Sequence, residues 1–541
     1  MSGEHVSSNA VPLPTLRVNA RRLRYLASFV RPHLRECIAS IVSAVGVTVF
    51  AMLTPFLFKQ AIDRGGIGQS AGSNSVDLGV VQLWIGFALV ATLLNYISET
   101  LNLRWQIWTV RVINDLRTSL YAHVQRQGLD FFSRQRTGVV ISRLTNDIEA
   151  LAQLVSEGVF MLFVNVLQLL LIEAFLFALD WRLALAVNVI FPVMIAGTIA
   201  FRYYSARAYR RTRERMAHVT AFLAESLGGM RVVQAFAAEE RADEEFERTN
   251  VHYREANMET IWQSALYFPA VELLGTIGTG IVLWYGGFLA DRDLVTVGVI
   301  FAFLLYLENF FDPIQQLSQF YGSFLSAMAA LDKIMGVMET EPTILDAPNA
   351  RQLDPVRGAV RFDHVSFRYN DDGPEVLRDI DLDVTAGETV ALVGHTGAGK
   401  SSFVKLLTRF YDPTRGAVRL DGVDLRELEQ RWLRRSMGIV PQEGFLFSGT
   451  VRENIAYGMP DAELERIEQA ARAIGADVFI NELEHGYDSE VGERGSRLSA
   501  GQRQMIAFAR AMLIDPPLLV LDEATSSVDV ETELRLADGL N

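Results

Sequence analysis

The residues best suited to chemistry stand towards the C-terminal end of the chain. Gly394-His-Thr-Gly-Ala-Gly-Lys-Ser401 has the spacing G-x-x-x-x-G-K-[ST]. Its glycines allow consecutive backbone N–H groups to turn inward, and a helix starting at its end adds positive potential. Such a loop holds phosphates. Lys400 can reach the β- and γ-phosphates, and the Ser401 hydroxyl can bind Mg²⁺. Thr396, Gly397, Ala398, Gly399 and Ser402 supply the rest of the cradle, with His395 as a spacer. Thr389–Val393 is apolar and is expected to form a short strand feeding the loop. Ser402–Phe410 continues as an apolar-periodic helix. This strand–loop–helix order separates a phosphate loop from a chance glycine-rich turn.

A nucleotide phosphatase also needs acids beside the loop. Leu518-Leu-Val-Leu521 reads as a buried strand that ends in Asp522 and Glu523. Asp522 is placed to orient a Mg²⁺ shell. Glu523, one residue further, is placed to polarise the attacking water as general base.

Between these motifs stands Leu498-Ser-Ala-Gly-Gln502, similar to the LSGGQ signature of the ATP-binding cassette proteins. The resemblance extends over essentially the whole chain. Gln442, in Val440-Pro-Gln-Glu, matches the family's glutamine loop, which senses Mg²⁺ and the membrane domain. Tyr369 matches the aromatic residue that stacks on adenine, worth ~1–3 kcal/mol per base. Gly492-Glu-Arg-Gly495 resembles the contact loop of exporters, and Ser526-Ser-Val-Asp529 the loop that crosses to a partner subunit. The resemblance implies ATP and Mg²⁺ as cofactors. It assigns Glu523, Lys400 and Gln442 to catalysis, and Ser401, Gln442 and Asp522 to the metal. It also implies that two cassettes close head to tail. ATP held by Tyr369 and Gly394–Ser402 would then meet Leu498, Ser499, Ala500, Gly501 and Gln502 of a second half-transporter.

Two departures stand out. Ala500 replaces the first of the signature's two glycines, which favours a heterodimer with a differently built partner over a homodimer. A switch histidine is expected after Asp529, yet no histidine follows His485 and the sequence stops at Asn541. The expectation is a C-terminally incomplete ATPase domain rather than an inactive one, since Lys400, Gln442, Asp522 and Glu523 are all present.

The elements preceding the ATPase set it in a membrane. Half of the 541 residues are hydrophobic, and mean hydropathy is +0.18. A net charge of −14 argues against nucleic acid as a partner. The one cysteine, Cys37, excludes an internal disulfide. A spanning helix needs about 20 apolar residues. Six runs qualify: Cys37–Phe58, Leu78–Ser98, Gly158–Leu179, Leu183–Phe201, Ile261–Ala290 and one from Leu294. The second and fourth are followed by long arginine-rich connections. The opposite connections (Gly65–Ser75, Asp180–Arg182, Asp291–Asp293) are poor in positive charge. Both termini are therefore expected in the cytoplasm of a cell membrane, with lipid around the spans.

The expected fold class is an all-α six-helix transmembrane domain followed by an α/β P-loop ATPase domain. The expected boundaries are a leader at 1–36, the membrane domain at 37–338, a linker at 339–358 and the nucleotide-binding domain at 359–541. The spanning helices are expected to continue into the cytoplasm, broken by glycines in Arg136–Asp147 and Glu225–Phe236. By resemblance these two segments are the coupling helices of exporters.

Glu99, Glu173, Glu272 and Glu308 interrupt or border the apolar runs, and such groups are functional candidates. Glu99 and Glu308 read as surface or arginine-paired residues. Glu173 and Glu272 read as possible linings of a cavity for cationic amphipathic compounds. The function these features imply is ATP-driven export of an amphipathic drug or lipid. An importer of metal chelates on the same fold is the alternative, and an ATP-gated regulatory subunit the second.

Overall fold

The computed structural model of the chain describes residues 20–65, 77–370 and 372–523. These form two units, one drawn from residues 1–121 and 141–338, the other from 122–140 and 339–541.

The first unit is helical. An amphipathic helix α1 (Ala20–Val30) precedes α2 (Leu34–Arg64), α3 (Leu78–Trp105) and α4 (Ile107–Gln125). After a short helix α5 (Leu129–Arg134), which belongs to the second unit, come α6 (Thr137–Ser142), α7 (Ile148–Gln153) and α8 (Val159–Leu179). Then follow α9 (Trp181–Asn188), α10 (Ile190–Gly228), α11 (Met230–Ala235), α12 (Glu239–Ala290), α13 (Val297–Glu308) and α14 (Phe311–Met338). Among the described residues six helical stretches are long and apolar enough to cross a membrane; five contain the apolar runs of the sequence, and the sixth, Val297–Ile314, begins within the run from Leu294. Large apolar side chains such as Leu266 and Trp284 are 77% and 80% exposed on them, a surface suited to lipid rather than water.

The turns between spans are fixed locally. Asp180 caps α9 by accepting from the backbone N–H of Arg182 and Leu183, both at 2.9 Å. Asp77 does the same for α3. Small residues set the helix spacing in the core. A Cβ on Gly278 of α12 would lie 2.8 Å from Leu307 Cδ2 of α13, so glycine allows that approach. Around this contact Ile172, Leu183, Val282, Phe303 and Tyr306 are buried. The Tyr306 hydroxyl donates to Met52 O at 2.7 Å, satisfying the one polar group of that side chain.

Helices α10 and α12 hold 39 and 52 residues. At 1.5 Å per residue they run about 58 and 78 Å, against ~30 Å of hydrocarbon, so both continue far outside the membrane as expected. Their outer parts are tied together by Thr212 to Ala256 O (3.0 Å) and Arg211 to Glu259 (3.2 Å). The second glycine segment behaves as anticipated: α10 stops at Gly228, and α11 is a separate short helix before α12. The first does not. Gly138 lies inside α6, and Arg143–Asp147 continues it as a π-helical turn into α7. The breaks fall at the segment's upstream edge, Gln135–Arg136, and further upstream at Arg126–Gly128, and α5 between them is the short separate helix. Gly128 is constrained by its neighbours, since a Cβ there would meet Asp130 Oδ1 at 2.6 Å.

The second unit begins with an antiparallel sheet in the order β2-β1-β3-β4, made of β1 (Val360–Phe367), β2 (Leu377–Val384), β3 (Arg415–Leu420) and β4 (Val423–Asp424). Strands β5 (Met437–Val440) and β6 (Leu518–Leu521) pair in parallel, Val440 opposite Leu521. The helices are α15 (Lys400–Leu407), α16 (Gln430–Arg435), α17 (Val451–Ile455), α18 (Leu464–Ala473), α19 (Asp477–Glu482) and α20 (Ala500–Leu513). Phe362 of β1 stacks on Phe403 of α15 at 3.8 Å, joining sheet to phosphate helix. Ile506 and Phe508 of α20 anchor a second core with Ile455 and Ile467.

Thr389–Val393, expected as a strand, is not one. It follows a turn in which Glu388 accepts hydrogen bonds from the Thr385 backbone and hydroxyl at 2.8 and 2.9 Å. It then pairs with no strand among the described residues, and Val393 is 90% exposed. Without a neighbour to receive its N–H and C=O groups, an apolar segment has no ladder to join.

Residues 122–140 pack within the second unit. Gln127 Nε2 donates to Thr340 O at 2.8 Å, and the Thr343 hydroxyl to Asp130 at 2.8 Å. Ser133 and Tyr411 meet through their hydroxyls at 3.4 Å.

Candidate functional site

The phosphate loop keeps the backbone that its glycines make possible. Gly397 and Gly399 have φ of +85° and +97°, a region that favours glycine, and α15 starts directly after them. Lys400 Nζ lies over its own loop, donating to Gly394 O at 2.7 Å and His395 O at 3.3 Å. Ser401 is exposed at the first turn of α15. Ser402 faces the other way: it is buried, and its hydroxyl meets Tyr369 Oη at 2.8 Å. Tyr369 thus stands beside the loop, with Lys405 Nζ 5.3 Å from its ring centroid.

The acids approach the loop from the end of β6. A cavity of about 360 Å³ is lined by Lys400, Asp522 and Glu523 together with Leu392, Leu519 and Leu521. The Asp522 backbone N–H is held on Val440 O at 3.1 Å, and its carboxylate takes no hydrogen bond or ion pair among the described residues. Gln442 Nε2 donates to Glu523 Oε2 at 2.9 Å, across 81 positions of sequence. Ser401, Gln442 and Asp522 offer hydroxyl, carboxamide and carboxylate oxygens. Hard oxygen donors of this kind fit Mg²⁺, which keeps water and phosphate oxygens in its other positions.

The signature residues stand apart and share no hydrogen bond with the loop or acids among the described residues. Ser499 caps α20, accepting from Gln502 N–H at 3.2 Å while Gln502 Oε1 accepts from Ser499 N–H at 2.9 Å. Leu498 is buried beneath the cap. Ala500 and Gly501 fill the first two helical positions, with Ala500 exposed. One chain therefore presents a phosphate loop with its acids at one place and a signature at another. The motif Ser526–Asp529 and the segment Val530–Asn541 lie outside the described residues.

Three side chains that the sequence reading passed over bind the signature helix to the glutamine loop. Gln504 is 1% exposed and donates to Pro441 O at 2.9 Å, next to Gln442. Arg510 Nε donates to Asn454 O at 2.8 Å, and Asn454 Nδ2 to Phe447 O at 2.8 Å. Burial holds the Arg510 guanidinium below its ordinary pKa. Polar residues inside an otherwise apolar helix face were the available signal.

Known proteins carry the same arrangement. The ABC transporter transmembrane region matches residues 37–314, and the ABC transporter domain residues 377–526. An uncharacterised ABC transporter ATP-binding protein of Bacillus subtilis, YknV, is 36% identical over 95% of this chain and 84% of its own length. A putative multidrug export ATP-binding/permease protein of the same species, YgaD, is 36% identical over 96% of this chain and 89% of its own. The ATP-dependent lipid A-core flippase of Syntrophus aciditrophicus is 34% identical over 95% of this chain and 84% of its own. A bacterial Atm1-family ABC exporter with ATP bound superposes with a TM-score of 0.74 at 27% identity, covering 94% of this chain and 88% of that one. These relatives favour neither the importer nor the regulatory reading. The chain belongs to the ATP-binding cassette transporter family, as a multi-pass exporter half-transporter whose ATPase domain works in a dimer and drives transport by ATP hydrolysis.

Proposed function

We propose that this chain exports an amphipathic compound, a drug or a lipid, from a bacterial cell membrane in which both termini face the cytoplasm. Relatives named for multidrug export and for lipid A-core flipping support that substrate class. The observation that carries the catalytic reading is the meeting of Gln442 and Glu523 beside Lys400.

In this reading Tyr369 stacks on adenine, and the loop from Gly394 to Ser402 wraps the phosphates. Lys400 leaves the carbonyls of Gly394 and His395 to reach the β- and γ-phosphates. Ser401, Asp522 and Gln442 hold Mg²⁺, which when bound neutralises charge developing on the transferred phosphoryl group. Glu523 takes the proton of the attacking water. A second half-transporter, differing from this chain, completes the site with its signature. Ser499–Gly501 of this chain cap the partner's γ-phosphate, through the N–H groups at the start of α20. Segments α5 and α11 pass the movement of the cassettes to the spanning helices, with 37–338 as the membrane domain and 359–541 as the nucleotide-binding domain.

ATPase measurement in lipid tests this. Hydrolysis should require Mg²⁺ and rise when an amphipathic compound is added to the assembled dimer. Hydrolysis indifferent to every such compound would contradict a coupled exporter.

A further inference from the structure

The second unit holds a cavity of about 320 Å³ where three pieces of chain meet: the turn between α4 and α5, the linker, and the cassette around Phe410 and α16. Hydrogen bonds fix each piece. In the turn, Arg126 N–H donates to His123 O and Gln127 N–H to Val124 O, both at 3.1 Å. Gln127 Nε2 ties the turn to the linker at Thr340 O. A Cβ on Gly128 would come within 3.1 Å of Thr343 Oγ1, so glycine lets turn and linker approach. The linker is tied in turn to α16. Gln430 N–H donates to Asp346 Oδ1 at 2.9 Å, and Gln430 Nε2 to Ile344 O at 3.3 Å.

Two guanidinium groups line the space, Arg126 from the turn and Arg434 from α16, with Asp346 as the one carboxylate of the lining. Asp346 is already engaged, since it also lies 3.9 Å from Arg409 Nη1. Arg126 is exposed, and among the described residues its side chain has no ion pair or hydrogen bond. Arg434 stands over the Phe410 ring at 5.1 Å and donates to Arg409 O and Gln430 Oε1, both at 3.3 Å. It too has no ion pair among the described residues. Desolvation, with the charge of Arg409 beside it, holds Arg434 below its ordinary pKa against the opposing pull of Asp346. Positive charge thus outweighs negative around the cavity, in a chain whose net charge is −14.

A guanidinium fork pairs with phosphate or carboxylate through two parallel N–H···O bonds. Here the two forks come from different elements. A tetrahedral dianion can offer a separate pair of oxygens to each, whereas a planar carboxylate has one such edge. The volume is near the lower end of the ~300–1,000 Å³ typical of small-molecule pockets, which suits a small ester with its carbon body against Phe410 and Leu345. The lining lies wholly within the second unit, and the apolar run Leu78–Ser98 ends 28 residues before Arg126. A dissolved ester fits this placement better than a lipid headgroup.

We infer that Arg126 and Arg434 form a binding site for a small dissolved phosphate monoester, separate from the nucleotide loop. A bound ester ties the α4–α5 turn to α16, which leads through β5 to Gln442. Under the export reading above, occupancy braces the path between spanning helices and glutamine loop. Binding itself does not depend on that reading.

The test is calorimetric binding of glycerol 3-phosphate to the full chain in nanodiscs of zwitterionic lipid. The Lys400→Ala background keeps the nucleotide loop from competing. Saturable binding is expected, with glycerol and succinate about tenfold weaker or worse. Arg126→Gln and Arg434→Gln should each weaken binding by about tenfold, and Arg126→Lys, which keeps the charge but loses the fork, by about threefold. Arg434 packs on Phe410, so the exposed Arg126 decides the outcome if Arg434→Gln fails to fold. No saturable binding at millimolar ester, or binding indifferent to Arg126→Gln, overturns the site. Succinate bound as tightly as the ester overturns the phosphate class. Binding of phosphatidic acid placed in the nanodisc, without binding of the free ester, overturns the dissolved ligand.

Discussion

The hydrogen bond from Gln442 to Glu523 joins a residue of the glutamine loop to the proposed base, so the two side chains must separate or turn together when nucleotide enters. Glu523→Gln should therefore still bind ATP and trap a closed dimer, while turnover falls by roughly 10²–10⁴. Single-turnover hydrolysis near the wild-type rate would remove Glu523 from the role of base. Lys400→Ala should abolish nucleotide crosslinking at this chain's own loop, because among the described residues it is the one permanent cation lining the cavity with Asp522 and Glu523. The helical circular dichroism of the membrane half should persist in that variant. At this scale the loop and the paired acids were legible, since their chemistry is set by neighbours in sequence. The Gln442–Glu523 and Tyr369–Ser402 pairings were not. They join residues from separate elements, and only the fold decides which side of Ser402 faces Tyr369.

Among the elements, one buried side chain ties the linker at Leu345 to the segment after β4. Arg409 is 2% exposed and donates to Leu428 O at 2.8 Å, Leu345 O at 3.2 Å and Arg426 O at 3.4 Å. It also pairs with Asp412 at 3.3 Å. Arg409→Ala would leave the buried Leu428 carbonyl without this donor and should destabilise the second unit by roughly 2 kcal/mol. Thermal unfolding of the full chain in detergent reads this as an earlier transition of the ATPase unit; an unchanged transition would contradict it. The six spanning helices were legible from apolar length alone, because lipid makes that requirement independent of tertiary contacts. The helix break before α5 was misplaced. Gly138 looked like a breaker, but an exposed helical glycine costs only ~1 kcal/mol, whereas Gly128 is confined by Asp130 and Thr343. Thr389–Val393 was misread for the opposite reason: its composition suits a strand, but strand formation depends on a partner.

For the molecule as a whole, the separation of the phosphate loop from the signature within one chain makes a second cassette part of the mechanism. Ala500 sits exposed at the first helical position of α20, where alanine is unstrained. Any steric burden of its methyl group must then arise against the partner's phosphate. This chain purified alone should hydrolyse ATP slowly, and Ala500→Gly should raise that rate. Robust, substrate-stimulated hydrolysis by a stable dimer of the unmodified chain would contradict the need for a different partner.

Export itself is tested most directly by transport in inverted membrane vesicles, where the cassettes face the medium. ATP added outside should drive accumulation of an amphipathic dye within the vesicles, and Glu523→Gln should abolish it. Accumulation that is indifferent to ATP, or ATP-driven loss of preloaded dye to the medium, would contradict the assignment of this chain as an exporter.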